Sequence, residues 1–217
     1  MHKSINNLAL INNQIKSKFG SIRNINVIAV SKTFPINEIK PLIDNGHVHF
    51  GENKAQEAVE KWANIKSSFK HLKLHMIGRL QTNKVKYVVS LFDYIHSLDS
   101  IKLAQKISIE QKKINKNLKI FIQVNIGNEQ QKSGIDKKNL RDFYKKCTKE
   151  FELNIIGLMC IPPQDVEVRS YFNDMAKLNK YIGLKELSMG MSSDYMDAID
   201  SGATFVRIGS KIFGNRS

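Results

Sequence analysis

The chain has 217 residues, 41% of them hydrophobic and 25% charged, enough for one large soluble domain or two small ones. Its formal net charge of +14 admits an anionic partner. The charge is spread along the chain, however, without basic–aromatic interleaving, zinc-ligand spacing or a glycine–aromatic signature, so no specific nucleic-acid contact is expected. No run of about 18 apolar residues predicts a membrane span. The first 25 residues lack the compact apolar core of a secretory signal. Cys147 and Cys160 alone make no disulfide framework, and a cytoplasmic location is expected.

In chain order, Ile5, Leu8, Ile11 and Ile15 recur at helical spacing and predict an amphipathic helix over about residues 4 to 18. Val27–Ser31 is an apolar, β-branched run that reads as a strand buried on both faces, and it ends in Lys32 with Pro35 close behind. A helix is predicted over Ile36–Asp44, a strand at His49–Gly51, a helix over Lys54–Asn64 and a strand at Leu74–Ile77. Further helices are expected at Lys84–Leu91, Ile101–Ile114, Lys137–Phe151, Val166–Tyr181 and Tyr195–Ser201. They alternate with strands at Tyr94–Leu98, Ile120–Asn125, Ile155–Met159, Leu187–Ser188 and Phe205–Ile208.

Eight strands alternating with helices define an α/β chain with a parallel sheet, and eight is the count of a closed (β/α)8 barrel. A doubly wound open sheet is the alternative, but the glycine-rich turn expected after its first strand is absent. The whole chain, residues 1–217, is expected to form this single barrel. The eighth helix would be a stub, at "SKIFGNRS", and the N-terminal helix is expected to cover the gap it leaves.

A barrel carries its functional groups at the C-terminal ends of its strands. Those places hold Lys32, Glu52 and Asn53, Arg79 with Gln81 and Asn83, Asp99, Asn125 and Lys132, "CIPP", "SMGMSSD" and "RIGSKIFG". The last two segments fall where barrels often bind phosphate. Gly190 allows close backbone approach, Ser192 and Ser193 offer hydroxyls, and the turn at Gly209 and Ser210 opens a short helix with free N–H groups. Strand alternation turns Arg207 inward with Phe205, while Val206 and Ile208 face the helices. The same alternation turns Ile28 and Val30 inward beneath Lys32. The bland reading of Arg207 is an ion pair, for instance with Glu52. His47 and His49 lack a third ligand for a metal. His75 and His96 read as hydrogen-bonded barrel residues, and Cys160 has no histidine that can be placed beside it. A lysine at one strand end and a phosphate cup on the strands closing beside it suit pyridoxal 5'-phosphate (PLP), whose aldehyde condenses with lysine.

The blocks "AVSKT", "FGENKAQEA", "HMIGRLQTNK", "IHSLDS", "QVNIGNEQQKSGI", "GLMCIPP", "LSMGMSSDYMDAI" and "VRIGSKIFG" occur in that order between about residues 25 and 214. In these the chain resembles the pyridoxal phosphate homeostasis family. The resemblance implies a single-domain (β/α)8 TIM barrel of the alanine racemase N-terminal-domain type with an extra N-terminal helix. It implies a Schiff base between PLP and Lys32, phosphate contacts from Ser192, Gly209 and Ser210, Arg207 at the pyridine nitrogen, and Asn53 as pocket lining. Arg79 and Lys211 depart from the usual residues of their blocks, and Lys211 would add positive charge near the phosphate. No metal site and no catalytic residue are implied.

The expected function is PLP homeostasis, in which the chain holds PLP covalently on Lys32 and supplies it to apo PLP-dependent enzymes without robust turnover of its own. The alternative is a small racemase-like PLP enzyme. An arginine facing the pyridine nitrogen disfavours protonation there and weakens the ring as an electron sink. Racemases of related fold add a second domain that carries an opposing acid/base. The chain is expected to act as a monomer, with no membrane partner. Lys132 would lie on the ligand face as a second amine, unless it pairs with Glu129 to order its loop.

Overall fold

The computed structural model describes residues 2–20, 24–163 and 167–214. Eight parallel strands close into a barrel in sequence order, with the last returning to the first. They are β1 (Asn26–Val30), β2 (His49–Glu52), β3 (Lys73–Met76), β4 (Tyr94–Leu98), β5 (Lys119–Gln123), β6 (Ile155–Met159), β7 (Glu186–Ser188) and β8 (Phe205–Ile208). The helices are α1 (Lys3–Phe19), α2 (Ile36–Asp44), α3 (Ala55–Ser68), α4 (Val85–Leu91), α5 (Ile101–Lys113), α6 (Leu140–Lys149), α7 (Arg169–Ile182), α8 (Tyr195–Asp200) and α9 (Ser210–Phe213).

Side-chain alternation along the strands builds two separate cores. Val27 and Ala29 of β1 and Val206 and Ile208 of β8 face outward into the layer beneath the helices. Ile28, Tyr94, Phe121, Met159 and Phe205 point inward and fill the barrel. Each fully buried apolar side chain contributes about 1.5–3 kcal/mol. β1 pairs with β8 in a register that sets Ile28 opposite Arg207, so the inward parity expected for both strands is observed.

The N-terminal helix closes the seam, as expected. Leu8, Ile11 and Ile15 of α1 are buried, and the helix packs on the four-residue α9 and on α2. The Asn7 side-chain amide donates to the carbonyl of Ile212 at 2.9 Å. The Tyr195 hydroxyl of α8 donates to Gln14 Oε1 at 2.5 Å. Element ends differ from the sequence expectations by a few residues. α3 runs to Ser68 because Ile65 still packs on the core. α4 and α6 are preceded by single 3-10 turns at Thr82–Lys84 and Lys137–Asn139. β5 stops at Gln123, and Val124 instead forms an isolated bridge with Ile135 in the loop that follows. α7 starts at Arg169, and the expected start at Val166 lies outside the described residues.

Candidate functional site

A cavity of about 690 Å3 opens at the C-terminal end of the barrel. All six residues expected in a ligand site line it: Lys32, Asn53, Ser192, Arg207, Gly209 and Ser210. Val30, Phe34, Ser193 and Gly214 share the lining. Lys32 leaves the end of β1, Asn53 follows β2, Ser192 follows β7, and Gly209 and Ser210 follow β8. The site therefore straddles the seam where the first and last strands meet.

The backbone beside Lys32 is strained. Thr33 has a φ of 69°, a left-handed conformation unusual for a β-branched residue. Its N–H donates to Glu57 Oε1 of α3 at 3.0 Å, which holds the turn. Behind it, Ser31 donates to Glu52 Oε1 at 2.7 Å, and Trp62 Nε1 donates to the same oxygen at 2.9 Å. Lys61 Nζ meets Glu52 Oε1 at 3.1 Å and donates to the Ser31 carbonyl at 3.0 Å. Glu52 is fully buried on the outer face of the sheet, so its partner is Lys61 and not Arg207. A buried network thus fixes the residue before Lys32 from the helix side.

On the opposite wall, Gly190 has a φ of +91°, and a Cβ there would lie 2.5 Å from the Cβ of Ala198. Only glycine lets the β7 loop pass this close to α8. The turn presents Ser192, whose hydroxyl accepts from the Gly209 N–H at 3.3 Å. The first N–H groups of α9 have no partner within the helix. Phe34 stacks on Phe213 with ring centroids 4.8 Å apart, tying the Lys32 loop to α9. At Gly78 a Cβ would lie 2.3 Å from the Asn53 carbonyl, so the β2 and β3 loops touch backbone to backbone.

Arg207 is buried between these walls. Its Nη1 donates to Ser188 Oγ at 2.7 Å and its Nη2 to the Cys160 carbonyl at 2.9 Å. Among the described residues no carboxylate lies within ion-pair distance of it. Burial lowers its pKa from the ordinary guanidinium value. Among the described residues, none that lines the cavity is acidic, and Lys32 and Arg207 both face it. Asn53 Oδ1 is buried there with no protein partner. A cationic wall, hydroxyls, open N–H groups and an orphaned amide oxygen fit an anionic ligand with further polar substituents, and a PLP-sized group suits them.

Other candidates stand apart from the cavity. Lys132 pairs with Glu129 at 2.6 Å and donates to the Pro162 carbonyl at 3.0 Å, the loop-ordering arrangement. Lys211 lies 5.0 Å over the Tyr195 ring and does not line the cavity. Burial pushes the Cys160 thiol up to about 12, which leaves it a poor nucleophile. Arg79 and Asp99 line a neighbouring cavity of about 670 Å3 that also touches Asn53. Among the described residues no group of His, Cys, Asp and Glu could hold a metal ion. Sequence reading did not find Ser188, which contacts Arg207 from the end of β7. Nor did it find Glu57, Lys61 and Trp62, which act from α3, since nothing in their spacing marks them.

The fold and site define a class first: the model of the alanine racemase N-terminal domain matches residues 6–217. The pyridoxal phosphate homeostasis protein of Aquifex aeolicus is 39% identical over 199 residues, covering 88% of this chain and 86% of that one. PipY of Synechococcus elongatus, solved with PLP bound, superposes with a TM-score of 0.88 at 32% identity, covering 97% of this chain and all of that one. Alanine racemase of Clostridium difficile shares the fold alone, with a TM-score of 0.74 at 16% identity over 98% of this chain and 57% of its own. Within the alanine racemase N-terminal-domain class, the chain belongs to the pyridoxal phosphate homeostasis protein family.

Proposed function

We propose that this chain binds PLP in the seam cavity, holds it covalently on Lys32, and supplies it to apo PLP-dependent enzymes without robust turnover of its own. One observation carries the reading: an amine, a buried guanidinium and a cradle of hydroxyl and backbone donors line one cavity. When bound, PLP supplies an aldehyde carbon reactive toward amines and a phosphate that needs several donors. Lys32 would supply the amine for that carbon, with loss of water. Ser192 and Ser210 would hold the phosphate, with the Gly209 N–H turning to it from Ser192 Oγ, and Asn53 would meet a polar edge of the ring. Arg207 would meet the ring nitrogen as a fixed donor, which would disfavour protonation of that atom and weaken the ring as an electron sink.

Carrier chemistry suits the rest of the lining. Among the described lining residues no tyrosine, histidine, cysteine or carboxylate stands across the cavity from Lys32 to exchange a substrate proton. The chain is proposed to act as a monomer in the cytoplasm. Among its described residues no helix is long and apolar enough to cross a membrane.

Borohydride reduction of PLP-loaded protein followed by peptide mass spectrometry tests the reading. A pyridoxyl adduct on the Lys32 peptide, lost in Lys32→Ala together with the visible absorbance, is the expected result. An adduct confined to another lysine would overturn the assignment. Incubation with L- or D-alanine in heavy water should give no exchange of the α-hydrogen at an enzyme-like rate, and Lys32-dependent exchange at such a rate would replace the carrier with an enzyme.

A further inference from the structure

A line of side chains crosses the barrel interior and ends on Arg207. Arg207 Nη1 meets Ser188 Oγ at 2.7 Å, and Ser188 Oγ lies 2.8 Å from His96 Nδ1. His96 Nε2 lies 2.9 Å from His75 Nδ1, and His75 Nε2 lies 2.9 Å from His49 Nδ1. These groups belong to β8, β7, β4, β3 and β2, and the link from His96 to Ser188 spans the hollow of the barrel. The line descends from the ligand cavity to His49, the first residue of β2, at the opposite end. Aromatic rings insulate it. Tyr94 stacks on His75 at 4.2 Å, Phe121 stacks on His96 at 4.3 Å, and Phe205 touches all three histidines.

Each imidazole in the line is uncharged. Burial holds His75 and His96 well below the ordinary histidine value, and Arg207 beside His96 adds to the effect. Lys66 acts on His75 in the same sense. Burial brings His49 to about 4, with Lys73 and Lys119 lowering it further and Asp93 opposing them. A neutral imidazole has one N–H and one bare nitrogen, so every link must match a donor to an acceptor. Only two orderings of the whole line satisfy this.

Arg207 decides between them. A guanidinium only donates, so Ser188 Oγ accepts from it. If His96 also donated to Ser188, the serine hydrogen would have no acceptor among the described residues. If Ser188 instead donates to His96 Nδ1, every donor from Ser188 to His75 has an acceptor in the line, and the one hydrogen left over, on His49 Nε2, sits on a part-buried residue at the end of the barrel instead of on the fully buried Ser188. We infer that Ser188, His96, His75 and His49 form a proton-ordered chain, each imidazole carrying its hydrogen on Nε2, that positions Arg207 toward the ligand cavity. Donation in a single direction polarises each successive bond. It strengthens Ser188 as the acceptor that, with the Cys160 carbonyl, fixes the guanidinium plane. The barrel thereby holds a buried cation in place with oriented dipoles instead of a carboxylate, and the remaining guanidinium hydrogens stay available to the cavity. Ser188 and the histidines are positioning residues. The ordering belongs to the protein alone, and only its effect on affinity rests on the PLP reading.

Nitrogen-15 NMR of the histidine rings in ligand-free protein tests the ordering directly. The expected spectrum shows His49, His75 and His96 with hydrogen on Nε2 and bare Nδ1, unchanged between about pH 6 and 8. Hydrogen on Nδ1 of His75 or His96 would overturn the inference. In Ser188→Ala the ordering donor is gone, so His96 should show mixed tautomers and PLP should bind about tenfold more weakly. Ser188→Thr restores the hydroxyl and should restore both. Tautomers unmoved in Ser188→Ala would refute the chain, whatever happens to affinity. A wild-type protein with the expected tautomers that does not take up PLP would refute the proposed function and leave the chain intact.

Discussion

Lys61 is the residue whose loss should be felt most at Lys32 without touching a ligand. It is only 10% exposed, neutralises the fully buried Glu52, and donates to the carbonyl next to Lys32. Lys61→Ala leaves a buried carboxylate with two neutral donors, and unfolding in urea should show a loss of about 3 kcal/mol. Gly190→Ala should act on the other wall. It forces an L side chain to φ +91° and into Ala198, so a stability loss on the order of 2 kcal/mol is expected, with weaker PLP binding in the same titration. Lys32, Ser192, Gly209 and Ser210 were legible in the sequence because chemistry-bearing types stood at strand ends, where a barrel collects them, but the family resemblance was needed to set Asn53 apart from Arg79, Asp99 and Lys132, which stand at strand ends too and do not line the cavity. Parity along β8 also pointed Arg207 inward correctly. The partner of Arg207 was not legible. Glu52 on β2 and Arg207 on β8 flank β1, but Glu52 faces the helices and Arg207 the interior, and Ser188 is too common a residue to announce its role. His75 and His96 could be read as barrel histidines one at a time. Their joining to each other depends on ring orientations that no spacing encodes.

At the scale of elements, α1 does what a full eighth helix does in a larger barrel. Its apolar stripe of Leu8, Ile11 and Ile15 is matched by its hydrogen bonds to α9 and α8. Ile11→Ala should cost about 3 kcal/mol through the cavity it leaves, read as a lower midpoint in urea. Because α9 carries Ser210, the same variant should loosen PLP more than an equally destabilising change on α5. The alternation of strand and helix was readable from period and length. Their ends were less so: the 3-10 turns before α4 and α6 use residues that also suit a first α-helical turn, and only tertiary contacts decide. Val124 looked like strand because it is apolar and follows apolar residues. It leaves β5 because the loop returns at Ile135 to pair with it.

The molecule as a whole should be acid-sensitive before its carboxylates titrate. Burial lowers His47 and His49 from 6.5 to about 4. The unfolded chain therefore binds more protons than the folded one between those values, and stability rises with pH across the window. The contribution is complete above about 6.5 and is lost as pH falls toward 4, by up to about 3 kcal/mol for each histidine. Urea midpoints measured from pH 7 down to pH 4.5 should fall steadily, and His47→Phe should flatten the slope. The cavity, finally, lies on the seam of the barrel. Lys32 follows the first strand, whereas Ser192 comes from the loop after β7, Arg207 from β8 itself, and Gly209 and Ser210 from the turn that follows it. Contacts this distant along the chain form late in folding. A nascent chain lacking its last fifty or so residues has the amine but no cradle. Retention of a ligand at this place thus reports that the barrel has closed, and a cofactor so held would act as a quality mark for completed chains.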